Sequence, residues 1–332
     1  MKRNGWTVVL IVLLAIAPAI VWGGGNAEAA GAEKKELDVV WASDFDPGDV
    51  ADQLGLQELS ASVGIKVKTT ELTEDSAVVA SLINGNQDIG TIDVCAAVRA
   101  IQMGVPMKII MPTNAKVEFA MVAQPGINSV KDFKGKKVAF HAPGSMTEIL
   151  PKLLVDRTEG ISQEDIEWVV LPESPNRAAA MKAKRIDVTC LEASDILTLQ
   201  EEGNFVMLNT FSEVAPEAMA TVWVTTEKFY NQYPDLIKGF AISMAKGYKK
   251  AQTDKEAWMA KAREITQYGD DRLSKTYDIY KKMGMFPSGE ILSKDTWDKM
   301  ISFYVSAGEL DDPSSYDVVL GDVVKAAADA IR

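Results

Sequence analysis

Residues 37–111 alternate between short apolar runs and segments whose apolar positions have helical spacing. Strands are predicted at residues 37–42, 65–71, 88–91 and 107–111, and helices at residues 49–60, 76–84 and 94–103. Asp75 or Ser76 is expected to cap the second of these helices, and Gly85 to close it. Repeated β-α-β units of this kind predict a mostly parallel sheet with helices on both faces.

A second set of alternating elements follows. Strands are predicted at residues 119–123, 138–140, 168–171 and 186–190, with helices after Ser145 and at residues 176–183. Residues 221–226 have the pattern of a strand that returns to the first set, and the chain from Glu227 onward is mostly helical.

Two similar α/β sets predict an α/β protein of two lobes around a cleft. We expect the chain to cross between the lobes near residues 112–118 and 218–226. Residues 30–112 and 224–332 would then form the first lobe, and residues 113–223 the second. Open α/β sheets bind ligands beyond the carboxyl ends of their strands, so the predicted site lies where those ends face each other.

The first 29 residues resemble an export signal. Lys2 and Arg3 precede an apolar run at residues 8–22, and small residues at 27–29 form an A-x-A cleavage pattern before Ala30. The run is shorter than the roughly 20 apolar residues that a bilayer span needs. We expect cleavage near Ala29 and Ala30 and a periplasmic or otherwise extracytoplasmic protein; an uncleaved anchor is the alternative.

Composition removes several classes of chemistry. A formal net charge of -12 argues against binding to nucleic acid. The chain has one histidine, His141, and two cysteines, Cys95 and Cys190, which form no C-x-x-C motif. Whether the two cysteines pair is left open by their spacing. No phosphate-binding G-x-x-x-x-G-K-[ST] motif is present, and no cofactor or metal is expected.

Four segments resemble the NMT1/THI5-like solute-binding proteins of nitrate, taurine, alkanesulfonate and thiamine-precursor importers. These segments are residues 84–90 (NGNQDIG), 104–108 (GVPMK), 130–145 (VKDFKGKKVAFHAPGS) and 229–236 (FYNQYPDL). The resemblance implies a type II periplasmic-binding-protein fold with two crossover strands. It also implies a monomer that binds a small solute and docks on an ABC permease in the membrane. The cysteine cluster and extra histidines of related pyrimidine synthases are absent, which puts that enzyme branch in doubt.

Two helix starts in the second lobe are candidate anion sites. Gly144, Ser145, Met146 and Thr147 open the first helix, where free N–H groups and the helix dipole favour an anion. Ser145 and Glu148 also have the spacing of a capping box, so a cap without a ligand is the alternative.

The second candidate anion site is the helix after residue 173. Ser174 is a predicted N-cap, and Arg177 would clamp a sulfonate or carboxylate. The alternative for Arg177 is a solvated surface arginine.

Carboxylates and other polar groups follow several predicted strands and would receive an ammonium group. The candidates are Ser43, Asp44 and Phe45, in the segment after the first strand that ends with Asp46, and Thr91, Asp93 and Glu192. Helix capping is the alternative for Asp44 and Asp93, and a solvated loop for Glu192. His141 is a candidate donor, or else a satisfied loop histidine. A site with donors and carboxylates predicts a small zwitterion or polar organic acid, such as a taurine-like molecule. An enzyme on the same fold and a ligand-sensing partner of a membrane receptor remain the alternative functions.

Overall fold

A computed structural model describes residues 34–42, 45–72, 74–113, 116–286 and 292–332, except for the side chain of Ser194. The predicted export signal and the site candidates Ser43 and Asp44 lie outside these residues. Two five-stranded sheets are the main elements of the described chain.

The first sheet has the order β2-β1-β3-β10-β4. Its strands are β1 (Glu36–Trp41), β2 (Lys66–Glu71), β3 (Ile89–Asp93), β4 (Met107–Pro112) and β10 (Thr221–Thr226). β1 pairs in parallel with β2 and β3, whereas β10 is antiparallel to both β3 and β4. The predicted return of residues 221–226 to the first set is therefore confirmed.

The second sheet repeats this arrangement in the order β7-β6-β8-β5-β9. Its strands are β5 (Phe119–Ala123), β6 (Lys137–Phe140), β7 (Glu167–Val170), β8 (Val188–Glu192) and β9 (Val206–Thr210). β5 is the antiparallel strand here. In each sheet, four strands run in one direction and the strand that arrives from the other sheet runs against them. The sheets are therefore mixed, and the chain passes between them within residues 113–118 and 215–220.

Helices connect the strands and form most of the C-terminal third. They are α1 (Val50–Val63), α2 (Asp75–Ile83), α3 (Val94–Gln102), α4 (Met146–Asp156), α5 (Ser174–Lys182), α6 (Ala193–Glu202), α7 (Phe211–Val214), α8 (Glu227–Gln232), α9 (Pro234–Thr253), α10 (Lys255–Ile265), α11 (Asp270–Met283), α12 (Lys294–Ser306) and α13 (Gly321–Asp329). No helix among the described residues is long and apolar enough to cross a bilayer.

The C-terminal helices join the two sheets. α9 packs along α1 on the first sheet, and α11 packs against α6, which follows β8 of the second sheet. Lys275 of α11 forms an ion pair with Glu201 of α6, with 3.0 Å between nitrogen and oxygen. These contacts hold α11 against the helix that follows the carboxyl end of β8, where a ligand site was predicted.

Two predictions of local structure are wrong. β9 was not predicted, because its residues are mostly half-buried and show no alternation of apolar and polar positions. The N-cap of α2 is Glu74, because the Asp75 carboxylate instead accepts a hydrogen bond from the backbone N–H of Asp93 at 3.3 Å. Gly85 does follow the end of α2 with a φ of 73°, the left-handed conformation that glycine adopts without strain.

Candidate functional site

Three carboxylates from three separate segments meet at one point. Asp46 follows β1 of the first sheet, Glu118 lies in the segment that links β4 to β5, and Glu192 ends β8 of the second sheet. One oxygen atom from each residue lies within 4.8 Å of the other two. All three side chains are half-buried. The end of the first sheet, the end of the second sheet and the connection between them thus converge.

The sequence Asp46-Pro47-Gly48-Asp49 positions the first of these carboxylates. Pro47 opens a single 3-10 turn, and Asp46 caps it by accepting a hydrogen bond from the backbone N–H of Gly48. Asp49 reaches back to accept the backbone N–H of Asp46 at 2.9 Å. This reciprocal cap fixes both side chains immediately before α1 begins.

Glu118 is held by a contact from the C-terminal helices. The hydroxyl of Tyr280 on α11 donates to Oε2 of Glu118 at 3.3 Å, and Tyr280 is 3% exposed. Gly48 leaves the space between the carboxylates open, because a Cβ at this position would lie 2.8 Å from Oδ1 of Asp46 and 3.5 Å from Oε2 of Glu118.

Burial dominates the electrostatics of these carboxylates. It raises the pKa of Asp46, Asp49 and Glu118, and that of Glu192 to about 7. The negative charge of Asp46 is the next largest cause for Glu118 and Glu192. We call Asp46, Asp49, Glu118 and Glu192 the acidic cluster. Such a cluster favours either protons or a bound cation.

Compensating cations are scarce around the acidic cluster. Within the part of the chain that the structure describes, no lysine, arginine or histidine forms an ion pair with Asp46, Glu118 or Glu192. Arg177 lowers the pKa of Glu192, but less than burial raises it. The cluster therefore carries net negative charge whenever its members ionise.

Aromatic side chains lie next to the cluster. Trp41, at the end of β1, packs edge-on against Phe45 and Trp223 with ring centroids 5.0 and 5.1 Å apart. Trp41 is 1% exposed, and its indole nitrogen lies beside Asp49. Among the described residues, that nitrogen has no partner at hydrogen-bond geometry.

Glu192 and Phe45 are the predicted site residues that the structure brings to the acidic cluster. The alternative for Glu192, a solvated loop, is wrong, because this residue ends a buried strand and caps α6. Asp93 lies elsewhere: its Oδ1 accepts the backbone N–H of Ala96 at 2.9 Å, so the capping alternative is confirmed. Thr91 is buried within β3, opposite Trp223 in the strand register.

The predicted anion site at α4 has internal partners. The backbone N–H of Gly144 donates to Oε2 of Glu148 at 2.6 Å, and that of His141 donates to Oγ1 of Thr147 at 2.9 Å. The expected Ser145–Glu148 capping box is wrong, since Glu148 accepts from Gly144 and the Ser145 side chain makes no cap bond. Met146 packs against the apolar core.

His141 also has a partner: its Nδ1 accepts the backbone N–H of Glu173 at 3.3 Å.

The α5 start also differs from expectation. The helix begins at Ser174, and its N-cap is Glu173, which has a φ of 62°, so the predicted Ser174 cap is displaced by one residue. The surface alternative for Arg177 is wrong, because Arg177 is 2% exposed. Its Nε donates to the carbonyl of Cys190 at 3.1 Å and its NH1 to that of Leu171 at 3.3 Å.

Asp49, Glu118 and Tyr280 were not predicted, whereas Asp46 ends the candidate segment after the first strand. Asp49 has a local signal, since Asp-Pro-Gly-Asp after a strand is a turn with two capping carboxylates. Glu118 and Tyr280 have none, because they are 162 positions apart and only the tertiary structure brings them together. Cys95 on α3 and Cys190 in β8 are free, buried thiols.

A separate surface groove of about 650 Å³ lies at the opposite end of β8. Gln124, Lys182, Asp187 and Phe205 are among its lining residues. It contains none of the predicted site residues, so size alone does not identify it as the functional site.

Comparisons with known proteins agree with this architecture. The family model described as "NMT1/THI5 like" matches residues 61–257. The taurine-binding periplasmic protein of Escherichia coli (strain K12) is 22% identical over 241 residues, which cover 71% of this chain and 72% of that protein.

Two solved structures are similar in fold at low sequence identity. The ligand-binding component of an ABC-type import system from Staphylococcus aureus, solved with zinc bound, is 14% identical at a TM-score of 0.70, covering 89% of this chain and 99% of its own. The alkanesulfonate-binding protein SsuA from Xanthomonas axonopodis pv. citri, bound to MOPS, is 15% identical at a TM-score of 0.65, covering 87% and 99%. With the family model matching more than half of the chain, this protein belongs to the NMT1/THI5-like family and has the fold of the periplasmic binding proteins.

Proposed function

We propose that this chain is the extracytoplasmic solute-binding component of an ABC importer and takes a small polar organic solute between two lobes. One observation carries the proposal: carboxylates from the first sheet, the second sheet and the chain segment between them face one point. A solute bound there contacts both lobes at once. Ligand contacts from both sides stabilise a closed arrangement, which is the basis of hinge closure.

Residues 30–112 with 224–332 form the first lobe, and residues 113–223 the second. This division follows the two sheets except at residues 221–223, which lie in β10 of the first sheet. Residues 113–118 and 215–220 act as the hinge segments. This division places Asp46 on the first lobe, Glu192 on the second and Glu118 in a hinge. Glu118 is thus the contact that a hinge movement displaces least.

The solute class follows from the groups around the point of convergence. The acidic cluster supports an amine-bearing solute, and the relative that binds taurine has a ligand with both an ammonium and a sulfonate group. Ser145 and Thr147, which follow β6, and Arg177 on α5, which follows β7, remain the proposed partners of an anionic group. A taurine-like zwitterion fits both halves of this description.

The remaining proposals concern partners and location. Residues 1–29 act as a cleaved export signal, the mature chain is a monomer, and the closed form docks on a membrane permease. The chain binds its solute and releases it without a chemical reaction. The names of two similar proteins, a taurine-binding and an alkanesulfonate-binding protein, support this part of the proposal.

Calorimetry and small-angle scattering of the mature protein test this proposal together. Taurine, alkanesulfonates, nitrate and pyrimidines are titrated into protein that has been unfolded and refolded to remove any retained solute. We expect one class to release heat and to reduce the radius of gyration, with nitrate as the matched small-anion control. Binding without compaction, or chemical conversion of the bound compound, would contradict the importer role.

A further inference from the structure

We propose that the part of the solute held by the acidic cluster is a protonated primary amine, to which Asp46, Glu118 and Glu192 each offer one oxygen atom. This inference rests on the proposed function and specifies the chemistry of the same site. It assigns Glu118, which no local sequence pattern identifies, to the recognition of the amine together with Asp46 and Glu192.

The spacing of the three oxygen atoms matches an ammonium group. A primary ammonium has three N–H donors in tetrahedral directions, and each charged hydrogen bond is about 2.8 Å long, so its three acceptors lie about 4.6 Å apart. The three carboxylate oxygens lie within 4.8 Å of one another. One ammonium nitrogen therefore reaches all three without movement of the backbone.

The charge of the site points in the same direction. Burying ionised carboxylates together is unfavourable unless a cation accompanies them. Among the described residues, none forms an ion pair with Asp46, Glu118 or Glu192, and two nitrogens of the neighbouring Arg177 are committed to carbonyl groups. When the cluster is ionised, the positive charge that balances it must therefore come from outside this part of the chain.

The surroundings of the carboxylates favour an organic cation over a metal ion. Trp41 is 1% exposed, and its indole nitrogen lies beside Asp49 without a partner at hydrogen-bond geometry among the described residues. Its ring packs edge-on against Phe45 at 5.0 Å between centroids, so apolar surface lies next to the carboxylates. Three carboxylate oxygens by themselves also suit a hard divalent ion, but apolar rings beside them suit the carbon chain of an organic ammonium.

The placement also couples the amine to closure. Asp46 follows a strand of the first sheet and Glu192 ends a strand of the second, and their charges repel each other when both are ionised and no cation is bound. An ammonium group between them replaces this repulsion with attraction to both sides.

Ethylammonium chloride is a direct probe of this site, because it supplies the amine and almost nothing else. The smallest ligands gain at most about 1.5 kcal/mol of binding free energy per non-hydrogen atom. Ethylammonium has three such atoms, so its Kd would be about 1 mM at best. Thermal unfolding of the mature protein is followed with ethylammonium, tetramethylammonium or sodium chloride at equal ionic strength, and with magnesium, calcium or zinc chloride. We expect ethylammonium alone to raise the unfolding temperature. Tetramethylammonium is the matched control, since it has the charge without the N–H donors.

Variants connect the effect to the cluster. Glu118→Gln and Glu192→Gln should each weaken the apparent affinity for ethylammonium about tenfold or more, because each loses a charged acceptor. Glu164→Gln, at an exposed position, is the control and should bind as the wild type does. Both cluster variants remove like-charge repulsion, so neither should unfold at a lower temperature than the wild type without ligand; that temperature shows whether any loss of binding comes from misfolding.

The outcomes separate the two proposals. Equal effects of ethylammonium and sodium, or stabilisation by a divalent metal that the cluster variants abolish, would overturn the amine assignment. If an amine-free alkanesulfonate compacts the protein, the importer role stands and the amine assignment is wrong. If ethylammonium binds at the cluster but the bound protein converts a solute chemically, the amine site stands and the importer role fails.

Discussion

Gly247 of α9 lies against Gly55 of α1 so closely that a methyl group on Gly247 would come within 2.2 Å of the Gly55 amide nitrogen. The two helix backbones touch because neither residue has a side chain at the crossing. α1 begins directly after the turn that carries Asp46 and Asp49. This helix contact therefore also sets the position of the first-sheet side of the acidic cluster.

Gly247→Ala should lower the free energy of unfolding by about 3 kcal/mol or more, because the helices cannot separate without opening the core around them. Gly239→Ala on the same helix is the control. Its Cβ would lie 3.5 Å from Cγ2 of Val63, an ordinary contact, so the better helix propensity of alanine should add up to about 1 kcal/mol. Urea unfolding at one pH measures both; equal effects of the two variants would contradict the close crossing.

Asp52 should make the folded protein less stable as pH rises. It is 1% exposed, and burial raises its pKa to about 7 although Tyr248 and Trp223 donate to its Oδ1 at 2.6 and 3.2 Å. The folded state therefore holds a proton that the unfolded state, with an ordinary pKa of 3.8, has lost. This stabilisation is complete below the ordinary pKa and disappears as pH rises through about 7.

Asp52→Asn tests that pH dependence, because the amide does not ionise. Between pH 5 and pH 8, the wild type should lose about 3 kcal/mol more of its free energy of unfolding than the variant does. Asp311→Asn, at an exposed position, should leave the wild-type slope unchanged. Parallel stability curves for the wild type and Asp52→Asn would show that Asp52 is ionised in the fold throughout this range.

Asp46 should influence the titration of Glu192 across the two sheets. Burial is the largest cause of the raised pKa of Glu192, and the charge of Asp46 is the next. Asp46→Asn should therefore move the titration of Glu192 from about 7 toward, but not to, its ordinary value of 4.5. NMR of ¹³C-labelled glutamate carboxyls measures the midpoint. An unchanged midpoint would mean that the two carboxylates are farther apart in solution.

Affinity of the acidic cluster for ethylammonium should rise with pH. The carboxylates accept an ammonium group when ionised, and the raised pKa values of Glu118 and Glu192 keep them partly protonated in mildly acidic solution. Calorimetry at pH 5.5 and pH 8 should show at least roughly tenfold tighter binding at the higher pH. A flat or inverted dependence would contradict recognition by ionised carboxylates.

Arg177→Lys distinguishes a structural arginine from a solute clamp. The lysine cannot reproduce the two hydrogen bonds to the carbonyls of Cys190 and Leu171, so we expect a loss of about 2–4 kcal/mol in the free energy of unfolding. Arg185→Lys, at an exposed position, should change it by less than about 0.5 kcal/mol. Weaker solute binding at unchanged stability would instead support the clamp that the sequence suggested.

Local patterns in the sequence were sufficient for most of the secondary structure. The strands Phe119–Ala123 and Thr221–Thr226 have the predicted bounds, because each is an apolar run between clear breaks. Glu192 was recognisable as a site candidate from its position directly after a buried strand. These features depend on residues that are close together along the chain, and hydrophobic periodicity and turn residues are signals of that local kind.

Tertiary structure alone decided which of these residues meet. Tyr280 reaches Glu118 because α11 packs on α6, and no pattern near either residue encodes that contact. A surface position was one of the two readings of Arg177, yet this residue is buried, because its guanidinium donates to the carbonyl groups of Cys190 in β8 and Leu171 after β7. The sequence by itself determined the elements and their order. The acidic cluster depends on contacts between distant segments, which form only when the two sheets and the C-terminal helices pack together.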